Sequence, residues 1–552
     1  TLAYLKDFNK HSINALAGYT VQATDTDVLS VTSNGFENDN IPEITGKGAD
    51  PTNFQMNGGT GKTQTRLLSY LARVGYNYDS RYYLTASFRR DGSSRFGPLN
   101  RYGNFPSLSA AWNISNEDFY NDWLGEGSSL KLRASWGLSG NNNIGDYNYA
   151  QVVSTSQPVV FGNGTVESGV YPLNMRDQSL GWESTSQFNV GVDTEFLNGR
   201  LSVIANAYLS RSFNLLLNRP ISAISGATSV LTNMPDSKVE NKGFDIQIDA
   251  AVVSKSDFNL NISGNISLNR NKVLDLGDAS TILSRGAERS YLTHITTTGQ
   301  PIGMFYGFKV GGMVRQSDMD NIAADDAAYN SATQSFPEGY EIKGPPRSLA
   351  SSNPLRPGDL YFEDVNGDGI VSDEDKTVIG TPYADFTYGL TLSGNYRSFD
   401  FAVSMNGSQG NEVLDGQDYY LFNMEASGNQ YAVVDDRFRS ESEPGNGWVY
   451  KASRGGTQSN STRLSTFYIQ DGSFLRITNI TVGYNVKPEA VQKMKLAAFR
   501  IYMGVDNAFT FTKYLGYNPE VDYNDGANLT PGVDYGKYPL MRSYNLGVNV
   551  TF

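Results

Sequence analysis

Residues 244–268 read FDIQIDAAVVSKSDFNLNISGNISL. Phe244, Ile246, Ile248 and Ala250 fall on one side of the chain and Asp245, Gln247 and Asp249 on the other, a period of two that belongs to an extended strand. SKSD at 254–257 makes a short turn, and then Phe258, Leu260, Ile262, Ile266 and Leu268 alternate with Asn259, Asn261, Ser263, Asn265 and Ser267. LSVIANAYLS at 201–210 repeats the pattern through Leu201, Val203, Ala205, Ala207 and Leu209. One face of each strand is apolar and the other is wet. A soluble sandwich alternates in the same way, so the period alone does not choose between water and lipid.

Connection lengths do choose. LNGR at 197–200, SKSD at 254–257 and RS at 397–398 are tight turns, whereas 25–65, 141–183, 271–384 and 407–472 are long and polar. Short turns at one end and long loops at the other are the plan of an outer-membrane barrel. Strands are expected near 1–7, 11–24, 66–78, 82–91, 106–114, 129–139, 184–196, 201–212, 239–251, 258–270, 384–396, 399–406, 473–486, 497–508 and 541–552. These make about fifteen, an odd number where single-chain bacterial barrels have an even one. The expected fold is therefore an all-β transmembrane antiparallel β-barrel, open as written, with residues 1–552 forming the C-terminal portion of something longer. In MRSYNLGVNVTF, Tyr544, Leu546, Val548, Val550 and Phe552 alternate as a closing strand of such a barrel would.

Composition narrows the function. Cysteine is absent and only His11 and His294 carry imidazole, which leaves no thiol chemistry, no zinc cluster and little room for histidine acid–base catalysis. Asp and Glu number 57 against 44 Lys and Arg, without a basic stripe, so nucleic acid is not an expected partner. Aromatic residues make up 12% of the chain, 34 of them tyrosine, which suits strands and interfaces. No apolar run approaches the roughly 18 residues of a spanning helix, so any membrane crossing is by strands. The many carboxylates show no spacing that implies a shared catalytic task, and an enzyme is not expected.

Two motifs need weighing. GGTGKT at 58–63 resembles a phosphate-binding loop, but Met56 stands where the first glycine belongs, and the flanks supply neither a buried strand nor a helix. It is expected to be a flexible polar loop. DVNGDGIVSDED at 364–375 places Asp364, Asn366, Asp368, the carbonyl of Ile370, Ser372 and Asp375 at the ligand positions of a calcium loop, with Gly369 at the sharp turn. Only the last position departs, an aspartate replacing the usual bidentate glutamate. A bound Ca2+ is expected; the other reading is an acidic turn held by its own Asx-type hydrogen bonds.

Residues 89–119, RRDGSSRFGPLNRYGNFPSLSAAWNISNEDF, closely resemble the SusC/RagA family of TonB-linked outer-membrane transporters. The resemblance continues through LKLRASWGLSGNNNIGDYNY (130–149), LGWESTSQFNVGVDTEFLNGRL (180–201), GDLYFEDVNGDGIVSDEDKTVIGTPYADFTYGL (358–390), DGSFLRITNITVGYNV (471–486), NAFTFTKYLGYNPEV (507–521) and the terminal NLGVNVTF. It implies a barrel of about 22 strands with an N-terminal plug, which this chain lacks. It also implies a SusD-like lipoprotein lid, coupling to TonB, ExbB and ExbD, and uptake of oligosaccharides or peptides across the outer membrane of a Gram-negative bacterium. The calcium loop would then lie in the long extracellular region 271–384, as a structural ion without a sensing role. Loop aromatics such as Tyr419, Tyr420, Tyr514 and Tyr517 could stack on sugar rings, although substrate-binding residues are not readable from the sequence. Two rival readings are a SusC-like accessory subunit of a larger surface or protein-secretion assembly, and a passive porin.

Overall fold

The computed structural model describes residues 1–34, 55–150, 153–160, 162, 164–172, 175–222, 224, 229–286, 291–348, 355–424, 428–452, 463–523 and 527–552. Its main sheet has fifteen strands, each beside its neighbours in sequence. They are β1 (Leu2–Phe8), β2 (His11–Asn34), β3 (Gln55–Tyr78), β4 (Tyr82–Ser93), β5 (Tyr102–Asn113), β6 (Ser129–Asn141), β7 (Glu183–Phe196), β8 (Leu201–Phe213), β9 (Lys238–Ser254), β10 (Phe258–Asp275), β11 (Phe386–Tyr396), β12 (Phe399–Gln409), β13 (Phe474–Asn485), β14 (Ala498–Thr512) and β15 (Ser543–Thr551). Among the described residues no helix is long and apolar enough to cross a membrane. The chain divides into two compact units, residues 1–120, 131–190 and 210–238 in one and 121–130, 191–209 and 239–552 in the other.

In the first unit the strands exceed expectation. β2 and β3 pair over their whole length, from His11↔Tyr78 to Asn34↔Gln55. Residues 25–34 and 55–65, read above as loop, are therefore a polar hairpin laced by Lys62–Asp27 (3.3 Å) and Arg66–Asp25 (3.0 Å) ion pairs. Gly58 and Thr63 pair with Val31 and Thr26, so GGTGKT is strand, not flexible loop. Repeated backbone pairing carries a hairpin beyond its apolar stretch without any alternation to announce it.

The hairpin ends carry a row of rings. Phe8 stacks on His11 (5.0 Å), His11 lies against Tyr78 (5.0 Å), Tyr78 against Tyr82 (6.4 Å) and Tyr82 against Trp112 (6.3 Å), across β1 to β5. The Tyr82 hydroxyl and the Trp112 indole N–H both donate to Glu117 Oε1, at 2.6 and 2.9 Å. Rings with a polar tip held at one level of successive strands form an interfacial girdle.

At the ends of β4 and β5 opposite Tyr82 and Trp112, three motifs distant in sequence meet. Phe96 of DGSSRFG, Ile144 of NNNIGDY and Leu180 of LGWE share a buried cluster, with Trp182 packed beside Phe96 (5.2 Å) and edge-on to Phe105 (5.3 Å). Arg95 Nε donates to Asp146 Oδ1 (2.9 Å), and the Trp182 indole N–H donates to the Arg101 carbonyl (3.0 Å). Removing Phe96 would leave a cavity at the point all three segments share.

The second unit keeps the quoted alternation and reverses its usual sense. Phe244 and Ile248 are 40% and 45% exposed. The intervening carboxylates are instead hydrogen-bonded: Asn206 Nδ2 donates to Asp245 Oδ2 (2.7 Å), and the Ser263 hydroxyl and Gln247 Nε2 donate to Asp249 (2.5 and 2.8 Å). The same holds at the C-terminal end. Leu546 is 81% exposed, while Asn479 Nδ2 and Asn545 Nδ2 both donate to Asp506 (2.7 Å each). Satisfied polar groups on one face and bare apolar groups on the other are what a lipid-facing sheet requires. Phe258, Tyr396, Phe399 and Tyr484 add a second set of ring pairs at the turn ends of β10 to β13. Arg397 turns β11 into β12 in the left-handed region (φ 52°).

The connection between β10 and β11 is not a plain loop. Thr281–Arg285, Leu292–Thr297, Met304–Gly307 and Thr377–Gly380 form a four-stranded sheet of their own, and Met319–Ala328 is a helix. Phe305, Ile379, Leu414, Tyr419, Tyr468 and Val533 share one buried core. Phe308, Leu360, Phe362, Val371 and Tyr450 form a second.

Candidate functional site

The segment DVNGDGIVSDED closes on itself. Gly367 N–H donates to Asp364 Oδ1 (2.7 Å) and Gly369 N–H to Asp364 Oδ2 (2.6 Å). Asp368 N–H donates to Asn366 Oδ1 (2.9 Å) and Ile370 N–H to Asp368 Oδ1 (2.8 Å), so successive Asx turns wind the loop. Asp375, fully buried, accepts from Val365 N–H (2.8 Å) and Ser372 N–H (2.7 Å). The Ser372 hydroxyl oxygen accepts from Glu374 N–H (3.1 Å), capping the 3-10 turn Asp373–Asp375. Gly369 has φ +86°, and a Cβ there would meet Ile342 Cδ1 at 2.6 Å, so glycine is required both for conformation and for space.

The six expected ligands thus sit in one loop but divide into two roles. Asp375 fastens the loop's end to its beginning. Asp364, Asn366, Asp368, the Ile370 carbonyl and Ser372 line the turns, an all-oxygen set of the chemistry a hard cation takes, and an Asx-bonded carboxylate oxygen keeps a second lone pair. Among the described residues no group of three or more His, Cys, Asp or Glu side chains is arranged to hold a metal ion by itself. The donor chemistry suits calcium, while the hydrogen bonds already close the loop.

Its setting was not legible beforehand. Ile370–Val371 pairs in parallel with Arg347–Ser348. The buried Asp325 of the adjacent helix accepts from the Tyr340 hydroxyl (2.8 Å) and from the N–H groups of Lys343 (3.1 Å) and Gly344 (2.8 Å), fixing the approach to that strand. Arg463 lies over the Phe308 ring (4.7 Å), and Lys376 Nζ is 2.9 Å from Asp373. Burial lowers Arg463 to about 10 against the pull of Asp373 and Asp375.

A second polar cluster escaped the sequence reading. Asp415, Asp418 and Asp534 are all buried. The Tyr514 hydroxyl lies 2.7 Å from Asp534 Oδ2 and 3.3 Å from Asp415 Oδ2, and Gln470 Nε2 donates to Asp418 Oδ2 (2.8 Å) and Asp415 Oδ2 (3.2 Å). Burial, and then the charge of Asp534, pushes Asp415 up to about 6. Burial, and then Asp415, pushes Asp418 up to about 8. Nearby, buried His294 joins Leu292–Thr297 to the Pro531 carbonyl through Nε2 (2.9 Å), which leaves Nδ1 to accept from the Thr293 hydroxyl (2.7 Å). Burial lowers its pKa to about 4, so the ring is neutral at ordinary pH.

The four loop tyrosines separate into pairs. Tyr419 and Tyr514 are 4% and 5% exposed and belong to the buried cores, which removes them as sugar-stacking surfaces. Tyr420 and Tyr517 remain exposed. Tyrosine in a polar segment reads alike in both cases; the difference comes from packing partners supplied by other segments, such as Phe305 for Tyr419 and Val413 for Tyr514.

Comparison with known proteins places these features. The family described as TonB dependent receptor-like, beta-barrel matches residues 4–283, just over half of the chain. TonB-dependent receptor P39 of Formosa agariphila is 32% identical over 100% of this chain and 52% of its own. TonB-dependent receptor SusC of Bacteroides thetaiotaomicron is 30% identical over 89% of this chain and 44% of its own. The chain therefore spans about half the length of the curated relatives it matches. A solved structure of the RagAB peptide transporter superposes with a TM-score of 0.76 at 21% identity, covering 100% of this chain and 54% of that one, a likeness of fold. The chain belongs to the TonB dependent receptor-like β-barrel family, outer-membrane proteins that cross the bilayer on antiparallel strands.

Proposed function

We propose that this chain is the barrel of a SusC-like importer that takes up large nutrients, oligosaccharides or peptides, through the outer membrane. A SusD-like lipoprotein serves as its lid, and TonB, ExbB and ExbD drive it. The observation that carries this reading is the similarity to SusC along 89% of the chain. It is joined by the motif knots that hold the same segments together in three dimensions, Phe96–Ile144–Leu180 among them. The protein works by transport, not catalysis, as the names of its relatives as receptors support.

Ca2+, in this proposal, binds the 364–375 loop through Asp364, Asn366, Asp368, the Ile370 carbonyl and Ser372, with Asp375 keeping the loop closed. The ion stiffens an extracellular loop and takes no part in transport chemistry. Because hydrogen bonds already shape the loop, the affinity is that of a weak extracellular site, with a dissociation constant of order 0.1 to 1 mM.

Purifying the native complex from outer membrane and identifying its components by mass spectrometry tests the proposal. One SusD-like lipoprotein in stoichiometric amount, with plug peptides, is the expected result. Large unrelated subunits of a surface or secretion assembly, or an absence of plug peptides, would overturn it.

A further inference from the structure

The buried acidic cluster lies where three segments of the second unit join. Leu414 and Asp415 pair in parallel with Val533 and Asp534, and Val413 and Leu414 pair antiparallel with Gln470 and Ile469. The turn after Asp415 brings Asp418 onto the same spot. Facing the three carboxylates are Gln470 from 469–471, Tyr514 from the segment after β14, and the N–H groups of Gln417, Gly536 and Lys537. The titratable Tyr431 and Tyr468 side chains lie close to Asp418 as well. The charges that act most strongly on Asp415 and Asp418 are the neighbouring carboxylates.

Three ionised carboxylates held together out of water repel one another and lose their hydration, with only neutral donors in return. A proton resolves the conflict, as it does for any pair of carboxyl groups that share a dry site. We propose that Asp415, Asp418 and Asp534 form a proton-held clasp, in which a bound proton at neutral pH joins the 412–421, 469–471 and 530–538 segments and its loss at higher pH weakens the joint. Asp418 is the group expected to carry it: backbone N–H groups donate to Asp415 and to Asp534, whereas Asp418 is met by the Gln470 and Tyr431 side chains. The clasp does not depend on the cargo or on the calcium loop.

The sign follows from linkage. A carboxyl whose proton is held more tightly in the closed state stabilises that state at low pH, and the advantage shrinks as pH rises until the closed state has also lost its proton. Local opening exposes the carboxyls to water, where they ionise near pH 4. Protection of the joined segments should then fall about tenfold per pH unit, levelling off above about pH 8.

Hydrogen–deuterium exchange of the protein in outer-membrane vesicles, between pH 6 and pH 9 and corrected for intrinsic exchange, reads this directly. The expected result is a loss of protection of about a hundredfold between pH 6 and pH 8 in 412–421 and 530–538. Asp418→Asn should abolish the slope while keeping protection. Asp415→Asn, removing the nearest negative charge, should move the levelling point to lower pH, and it serves where Asp418→Asn fails to reach the membrane. A flat profile in the unsubstituted protein overturns the clasp, as does an unchanged slope in Asp418→Asn or an unmoved levelling point in Asp415→Asn.

Discussion

The strands β9 to β15 and the loop platform built on them use apolar residues in opposite ways. On the strands Phe244, Ile248 and Leu546 are bare while Asp249 and Asp506 are hydrogen-bonded. In the platform Phe305, Tyr419, Tyr468 and Val533 are buried, as in any water-soluble core. One chain therefore meets two solvents. Where lipid bathes the outside, side chains of the sheet need no protein to cover them. Where water bathes the outside, the hydrophobic effect must gather a core.

The largest test of this contrast is in the platform. Phe305→Ala should cost about 3 to 5 kcal/mol, the usual loss for a fully buried phenylalanine, read from guanidinium titration of the protein in lipid vesicles. On the sheet, Ile248→Arg should cost about 2 to 4 kcal/mol if that face lies near the bilayer midplane. A cost within about 0.5 kcal/mol, the ordinary size of a surface change, would break the comparison by showing the face to be wet.

His294 sharpens the platform side. Its folded pKa of about 4 lies below the ordinary value of 6.5, so the neutral ring is favoured in the fold. Stability that is intact above about pH 6.5 should be lost as pH falls towards 4, by about 1.4 kcal/mol per pH unit. His294→Gln should remove that acid dependence in thermal melts between pH 4 and pH 7, and persistence of the same slope would assign it elsewhere. Gly369→Ala, placing a Cβ at a left-handed position against Ile342, should cost about 1 to 3 kcal/mol.

Calcium gives the smallest effect. At 1 mM Ca2+ and a dissociation constant of about 0.1 to 1 mM, linkage stabilises the loop by about 0.4 to 1.4 kcal/mol. Melts with and without chelator should differ by that little, and Asp364→Ala with Asp368→Ala should erase the difference. A melting curve indifferent to calcium in the unsubstituted protein would leave the loop to its Asx turns alone.

How far the sequence could be read follows from the same two solvents. The lipid-facing strands were legible because their alternation is local: Phe244 to Ala250 and Phe258 to Leu268 declare their faces within a few residues. The outer part of the β2–β3 hairpin was not, since its residues show no clean alternation and it is held by backbone pairing and by ion pairs, such as Lys62–Asp27, across the two strands. Of the candidate metal loop, the turn at Gly369 could be read, but its docking on Arg347–Ser348 could not. The acidic clasp was hidden altogether. Asp415 and Tyr514 lie 99 positions apart, and nothing in either segment names the other.

The measurement that tests the inside-out sheet most directly uses the absence of cysteine. Single-cysteine variants Ile248→Cys and Gln247→Cys, labelled with a fluorophore in lipid vesicles, report the two faces of β9. The expected result is quenching of the label at 248 by a lipid-borne quencher and of the label at 247 by an aqueous one. Equal aqueous quenching at both positions, or the reverse assignment, would contradict a membrane-spanning sheet.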